Sequence, residues 1–515
     1  MADHDKKQGL HNPAFSNDDG KLQTEPSANF KKVDNGFGMT EVVIQEKKEG
    51  DPAQQRAIMK NVLIISLAFT FLFTAFNSMA NLQSSINQAN GTVSLTIIYV
   101  ALVVSCCFLP SLFIKFFKSK YTMALCMGAY STYIAAQFYP TLSSLLPTGI
   151  LLGIAAAPLW SAKCTYLTKV GNKYADLTGQ NEEVIVTRYF GIFFLFFQST
   201  QVWGNLISST VLSSGGEELN KTEEELNQCG YNFCLTEETE KNSTGNGTDD
   251  IIPDWQRYTM ASIYLVFALL SSVIIMLFVD PLSRFCGDIA ETEEKSSIQL
   301  LIATFNHMRH PYQLLIIPLT IWSGVEQGFF QSDFTAAYVS CGLGVHMVGY
   351  VMICYGVCDA LCSISFSPLV KLVGRVPVFT VGAVINFGVI ITLIKWRPHP
   401  DDTAIFFVLA GLWGVSDAIW QTQINAFYGV IFPGKAEAAF SNYRLWESIG
   451  FIISFATSSL ICIKAKIIIL FVFIISGMIG YFVIEVTEKR GGLKKDNNGN
   501  VITIDELIKG TPHEH

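Results

Sequence analysis

Stretches of about 20 apolar residues recur along the whole chain, and each is enough to span a hydrocarbon core of about 30 Å. In lipid every backbone N–H and C=O needs a partner within the protein, so runs of this length read as membrane-spanning helices. Run length gives twelve of them. The first six are Met59–Asn81, Thr92–Ile114, Tyr121–Tyr139, Ser143–Leu167, Tyr189–Leu212 and Tyr258–Val279. The second six are Tyr312–Ser332, His346–Val370, Val376–Ile394, Ala404–Ile431, Tyr443–Ile463 and Ile467–Glu485. The expected fold class is therefore all-α integral membrane, with twelve transmembrane helices in two six-helix pseudo-repeats.

Composition agrees. Half of the 515 residues are apolar and 15% are charged, against about 25% charged in soluble domains. The net charge of −8 says little about partners, because the charges sit in tails and loops. No basic cluster with interleaved aromatics points to nucleic acid. Membrane lipid is the one surrounding that composition requires.

The expected organisation has five parts. Residues 1–56 form a polar, disordered, cytosolic tail without the apolar core of a signal peptide. Residues 57–279 form the first six-helix half. Residues 280–310 form a cytosolic linker, in which Ile298, Leu301, Phe305 and Met308 recur at the spacing of an amphipathic helix. Residues 311–486 form the second half, and 487–515 a cytosolic tail. Asn12–Phe15 (NPAF) reads either as a sorting peptide or as a chance match.

Two signals orient the spans. Lys and Arg crowd the even-numbered connections and the flanks of the tails, at Arg56, Lys60, Lys115, Lys118, Lys120, Lys169, Lys173, Lys371, Arg375, Lys435, Lys489 and Arg490. The opposite side has fewer, chiefly Arg257, Lys395, Arg397, Lys464 and Lys466, which places both termini in the cytosol. The glycosylation sequons at Asn90, Asn220, Asn242 and Asn246 fall in the first and fifth connections, both then outside. The fifth connection, about 213–255, is long and acidic, and it holds Cys229 and Cys234. A small disulfide loop between these two is expected, two free thiols being the alternative. Cys106, Cys107, Cys126, Cys164, Cys354, Cys358, Cys362 and Cys462 lie in apolar segments and read as packing residues. Cys354, Cys358 and Cys362 share a helix face, but no His or carboxylate set beyond Asp359 completes a metal site.

The two halves show short repeats. Gly153, Trp160 and Lys163 in helix 4 match Gly414, Trp420 and Gln423 in helix 10. Leu82–Ser85 in helix 1 matches Phe330–Asp333 in helix 7. Both pair helix n with helix n+6, the parallel-repeat layout of the major facilitator superfamily. Pro368–Pro377 (PLVKLVGRVP), between helices 8 and 9, resembles that superfamily's inner-loop motif. The equivalent Ile114–Lys120 (IKFFKSK) after helix 2 lacks its glycines and acid.

The chain holds no phosphate loop, nucleophile elbow or HExxH motif, so an enzyme is not expected, nor a cofactor. Chemistry is concentrated in the intramembrane charges: Lys163, Glu326, Asp359, Asp417 and Glu447. Such groups are costly in lipid and should face protein or a watery cavity. In Gly411–Gly450, Asp417, Gln421 and Asn425 fall on one helix face, with Val415, Ile419, Thr422 and Ala426 on the other. Uncharged stripes add Thr74, Asn77 and Asn81 in helix 1, and Gln198, Gln201 and Asn205 in helix 5. Glu326 and Asp417 are read as gating or cavity groups. Asp359 reads as cavity or packing, Lys163 as cavity or snorkelling to the inner surface. Glu447 can pair structurally with Arg444 one turn away.

Four segments carry a family resemblance: Trp413–Phe432 (WGVSDAIWQTQINAFYGVIF), Glu437–Gly450 (EAAFSNYRLWESIG), Gly153–Thr168 (GIAAAPLWSAKCTYLT) and Arg188–Ser209 (RYFGIFFLFFQSTQVWGNLISS). The chain resembles the Unc-ninety-three family over roughly residues 61–485, and within it the homologue A branch. The resemblance implies a facilitator fold in which helices 3, 6, 9 and 12 are peripheral, consistent with their lack of interior charges. It also implies regulation of an ion channel, a two-pore-domain potassium channel in particular, at the plasma membrane, with an endosomal or endoplasmic reticulum pool as an alternative. From the residues alone, proton- or cation-coupled transport of a small solute is the runner-up. Trafficking of membrane receptors, which the resemblance also implies, is third. The orientation predicts glycans on the fifth connection: replacing Asn220, Asn242 and Asn246 by Gln should shift gel mobility as glycosidase does, and an unchanged mobility contradicts it.

Overall fold

A computed structural model describes residues 51–86, 88–214, 222–234, 253–287, 302, 305–432 and 436–491. The described residues are helical, with no strand among them. The long helices are α1 (Pro52–Ile86), α2 (Gln88–Ala136), α3 (Leu142–Thr178), α4 (Glu182–Ser213) and α5 (Asp254–Phe278) in the first part of the chain. The second part holds α6 (Pro311–Gly328), α7 (Val345–Val373), α8 (Arg375–Lys395), α9 (Thr403–Ile431), α10 (Ala436–Ser458) and α11 (Ile463–Lys489). Among the described residues, seven helices are long and apolar enough to cross a membrane, and Asn90–Cys106 is a shorter apolar one. The chain is a multi-pass membrane protein.

Local chemistry sets the boundaries. The Asn181 side chain accepts from the Val184 N–H and opens α4. His310 caps α6, whose first residue is Pro311, a position where a missing N–H costs nothing. Gly344 (φ +97°) and Gly374 (φ +82°) adopt backbone that L side chains resist, and they stop the chain before α7 and before α8. Two expected boundaries differ. The second and third runs join as α2, which turns sharply at Lys118 (φ 62°) instead of breaking into a loop. The seventh run does not end at Ser332: α6 continues as a π-helix over Phe329–Ser340 and one more turn to Leu343. Of the amphipathic pattern expected at 298–308, Ile298 and Leu301 lie outside the described residues.

Apolar side chains face outward along the spans, among them Val104, Leu195, Val266, Leu277, Ile364, Val384, Val408, Ile468 and Ile479. Lipid is as apolar as these groups, so the helices gain little by hiding them, and close backbone packing must hold the bundle instead. Glycine supplies it. A Cβ on Gly153 of α3 would stand 2.3 Å from the Ile98 carbonyl oxygen of α2. One on Gly414 of α9 would stand 2.3 Å from the Tyr355 carbonyl oxygen of α7. Both crossings leave room for a hydrogen atom only. The two glycines matched in sequence thus serve matched crossings.

The expected Cys229–Cys234 disulfide does not form. Cys229 pairs with Cys341 at the end of the α6 extension, and Cys234 with Cys462 at the start of α11. A 3-10 turn over Gly230–Asn232 lies between the two cysteines. Gly230 sits against Pro398 and Tyr338, and the Ile463 N–H donates to the Phe233 carbonyl at 3.1 Å. Docked in this way, the turn delivers its two thiols to different helices. Cys462 is accordingly a disulfide partner, not a packing residue. Non-reduced peptide mapping should recover Cys229–Cys341 and Cys234–Cys462; a Cys229–Cys234 peptide would contradict the docking.

Candidate functional site

Three acids gather in the interior of the second part. Glu326 (0% exposed) comes from α6, Asp359 (6%) from α7 and Asp417 (2%) from α9. The close crossing at Gly414 brings Tyr355 to Asp417, and the Tyr355 hydroxyl donates to its carboxylate. Phe330 stacks on Tyr355 at 4.7 Å and on Trp413 at 5.4 Å between ring centroids, closing one side. Gln198 of α4 donates to Asp359 at 2.7 Å, and Ser363 at 3.3 Å. Glu326 differs from the other two. It lies within electrostatic reach of Asp417 and Asp359 and beside Trp413. Neither of its oxygens has a hydrogen bond of normal geometry among the described residues, and Asp417 has one oxygen in the same condition. A bare negative charge held there would cost several kcal/mol, so the cluster requires a proton or a cation.

A second network adjoins the first. Gln421 donates to Ser323 at 3.1 Å, and the Tyr443 hydroxyl donates to the Gln421 side-chain Oε1 at 3.4 Å. Tyr443 also donates to Glu447 Oε1 at 2.9 Å, and Arg444 Nη1 donates to Glu447 Oε2 at 2.6 Å. The Arg444–Glu447 pair expected from spacing is present. Asn425 caps back onto the Gln421 carbonyl at 2.6 Å. On the opposite face of α9 Ile419 is fully buried.

The first part contributes a cation. Lys163 of α3 is 1% exposed and therefore does not snorkel. Its ammonium lies 4.2 Å from the Phe193 ring centroid and 4.7 Å from that of Trp160, with Phe190 and Phe194 at 5.1 and 5.3 Å. Desolvated cation–π contacts of this kind contribute about 2 kcal/mol or more. No carboxylate pairs with Lys163 among the described residues. Asn77 donates to Thr200 at 3.0 Å, and Asn81 to Gln201 at 3.1 Å, so these polar residues tie α1 to α4. Of the sequons, Asn90 lies half-buried in α2, while Asn220, Asn242 and Asn246 lie outside the described residues.

One buried charge pair escapes a reading by run length. Lys466, expected in an outer loop, is 3% exposed, and its ammonium donates to Asp333 at 2.5 Å and to the Ser454 carbonyl at 3.1 Å. Ser458 donates to the second Asp333 oxygen at 2.8 Å. Both residues sit just past the ends of apolar runs. The π-helical continuation of α6 and the early start of α11 draw them inside. Tyr355, Ser323 and Trp413 are likewise invisible in the sequence as site residues, because nothing in an apolar run marks a packed Tyr or Trp as the neighbour of an acid.

A polytopic helical bundle with buried acids and an aromatic-boxed lysine between its helices has the fold of membrane transporters. It matches the crystal structure of the nucleoside transporter NupG with a TM-score of 0.53, over 82% of this chain and 99% of that one, at 13% identity. The family is a different matter from the fold: residues 82–482 match the family model described as ion channel regulatory protein UNC-93, and the chain belongs to that family. It is 43% identical to "Protein unc-93 homolog A" of Xenopus laevis over 84% of this chain and 94% of the relative. It is 37% identical to "Putative potassium channel regulatory protein unc-93" of Caenorhabditis elegans, over 86% of this chain and 63% of that protein.

The two kinds of buried acid should respond differently to neutral isosteres. Asp333→Asn leaves the Lys466 ammonium buried without its counter-ion and should destabilise by about 3–5 kcal/mol. Glu326→Gln breaks no ion pair and should leave the melting temperature of the purified protein close to wild type. Equal losses in thermal melts would contradict this division.

Proposed function

We propose that this chain is a non-enzymatic plasma-membrane protein that regulates a potassium channel, of the two-pore-domain type. The observation that carries the reading is the 37% identity, along 86% of this chain, with the Caenorhabditis elegans "Putative potassium channel regulatory protein unc-93". The accompanying layout has twelve spans in two six-helix halves, with both termini in the cytosol. The paired crossings at Gly153 and Gly414 support the two halves. Disulfides at Cys229, Cys234, Cys341 and Cys462 support an oxidising compartment on the side of the fifth connection. In this reading the regulator presents a helical surface to the channel, and Glu326 and Asp417 bias the bundle between conformations.

A second reading, cation- or proton-coupled solute transport, has one observation in its favour: the oxygens of Glu326, buried beside two more acids and without a hydrogen bond of normal geometry among the described residues. A group that binds a proton or cation reversibly must be left without a permanent partner. Co-expression distinguishes the two. The regulator changes potassium current through a two-pore-domain channel and carries none alone, and Asp417→Asn at normal surface density abolishes the change. Robust proton- or sodium-driven uptake in the absence of any channel, lost in Asp417→Asn, together with unaltered channel current, would replace the first reading by the second.

A further inference from the structure

The segment 222–234 belongs to the first part by chain and to the second by contact. It lies in the connection between α4 and α5. The bonds Cys229–Cys341 and Cys234–Cys462 fasten it to the end of the α6 extension and to the start of α11. It also touches the second part without covalent bonds. Arg397 donates to Asn227 at 3.2 Å, His399 lies 3.6 Å from Glu223, and the Lys464 ammonium lies 5.5 Å from the Tyr231 ring centroid. A second covalent route, besides the chain between α5 and α6, therefore joins the two parts.

The two parts also meet directly toward this end of the bundle. Ser84 of α1 and Thr335 of the α6 extension share a hydrogen bond at 3.2 Å, and Ser209 of α4 donates to the His346 carbonyl of α7 at 2.9 Å. A Cβ on Gly349 of α7 would stand 2.2 Å from the Ser209 hydroxyl oxygen. One on Gly356, two turns further in, would stand 2.8 Å from the Gln201 side chain. The seam between α4 and α7 ends at Gln198, which donates to Asp359 of the acid cluster. At the opposite end, ion pairs close within a part: Lys60 and Arg284 with Asp280 in the first, Arg375 with Glu485 in the second.

We propose that the disulfide-pinned turn is a strap that holds the two parts closed at this end of the bundle, and so shuts the acid cluster off from that side. Opening the seam requires the end of α4 to leave α7, and α4 is the helix whose end carries the strap. The eight peptide steps from Ser214 to Thr222 reach at most about 29 Å, which bounds that departure. The strap acts without being taut. A covalent bridge removes from the open state those arrangements in which the joined ends stray apart, and it takes nothing from the closed state. The seam's own hydrogen bonds are individually modest, and the bridge keeps their partners at high effective concentration whenever they separate. The inference rests on the two disulfides and the seam, and on no reading of what the protein regulates or carries.

The test is the reactivity of a thiol placed in the seam. Ser84 is 1% exposed, and Ser84→Cys makes it a reporter. The full-length protein in lipid nanodiscs is treated with a membrane-impermeant maleimide, and labelling at position 84 is followed by peptide mass spectrometry, which separates it from the native thiols. Ser416→Cys, at a fully buried position of α9 within the second part, is the control for general loosening. With the strap intact, labelling at position 84 is expected to be slow. Replacing Cys229, Cys234, Cys341 and Cys462 by Ala should speed it about tenfold or more and leave position 416 unchanged. Reduction of the native disulfides by an impermeant phosphine should have the same effect. It acts on molecules already folded, so it decides the matter if the four-alanine variant does not fold. The proposal is overturned if position 84 is labelled at the same rate with and without the disulfides, whether fast or slow, or if position 416 speeds up in step with it.

Discussion

A charge without a partner in hydrocarbon costs more than most single contacts in a folded protein can return. This bundle meets that constraint in three ways. Asp333 with Lys466 and Glu485 with Arg375 are closed ion pairs, the latter with Arg375 Nε 2.5 Å from Glu485 Oε1. Lys163 is surrounded by aromatic faces instead of a carboxylate. Glu326 has no counter-ion among the described residues, and its neighbours are two more acids and Trp413. The first kind fixes helices in place. The last kind leaves an electrostatic demand open, and a group whose demand is open is one that a proton or a cation can act upon.

The placement of these groups depends on backbones, not side chains. Where lipid removes the incentive to bury apolar surface, helices adhere through close contact, and glycine permits the closest. Gly324 of α6 meets the Glu447 carbonyl of α10, where a Cβ would stand at 2.0 Å. That contact sets Ser323 beside Tyr443 and Gln421. Gly414 does the same for Asp417 and Tyr355. The acid cluster and the Arg444 network therefore share a scaffold of glycine crossings, and widening either crossing moves polar atoms in both.

Apolar run length is enough to mark the apolar segments and to pick out Glu326, Asp359, Asp417, Lys163 and Glu447, because each interrupts a run that lipid would otherwise require to be apolar. The spacing of Arg444 and Glu447 is enough to pair them. Asp333 and Lys466 escape for the same physical reason in reverse: they lie at the ends of runs, where a charge is ordinary. Whether such a charge is inside or outside depends on how far a helix continues, and the π-helical stretch after Gly328 is not visible in composition. The disulfides mislead because proximity in sequence is not proximity in space. Cys341 and Cys462 belong to helix ends that meet Cys229 and Cys234 only after the bundle has formed. The aromatic box around Lys163 is half legible: Phe190, Phe193 and Phe194 are plain in the sequence, but not their turn toward α3.

The docked turn at 230–232 also bears on how the chain is made. Its cysteines wait for partners 112 and 228 residues further on. Synthesis runs from the N-terminus, so Cys229 and Cys234 emerge long before α11 exists. The second bond can close only when the last long helix has been threaded and has settled beside α6 and α10. An open thiol at Cys234 is thus a chemical mark of an unfinished molecule, and its disappearance records that the whole bundle has come together.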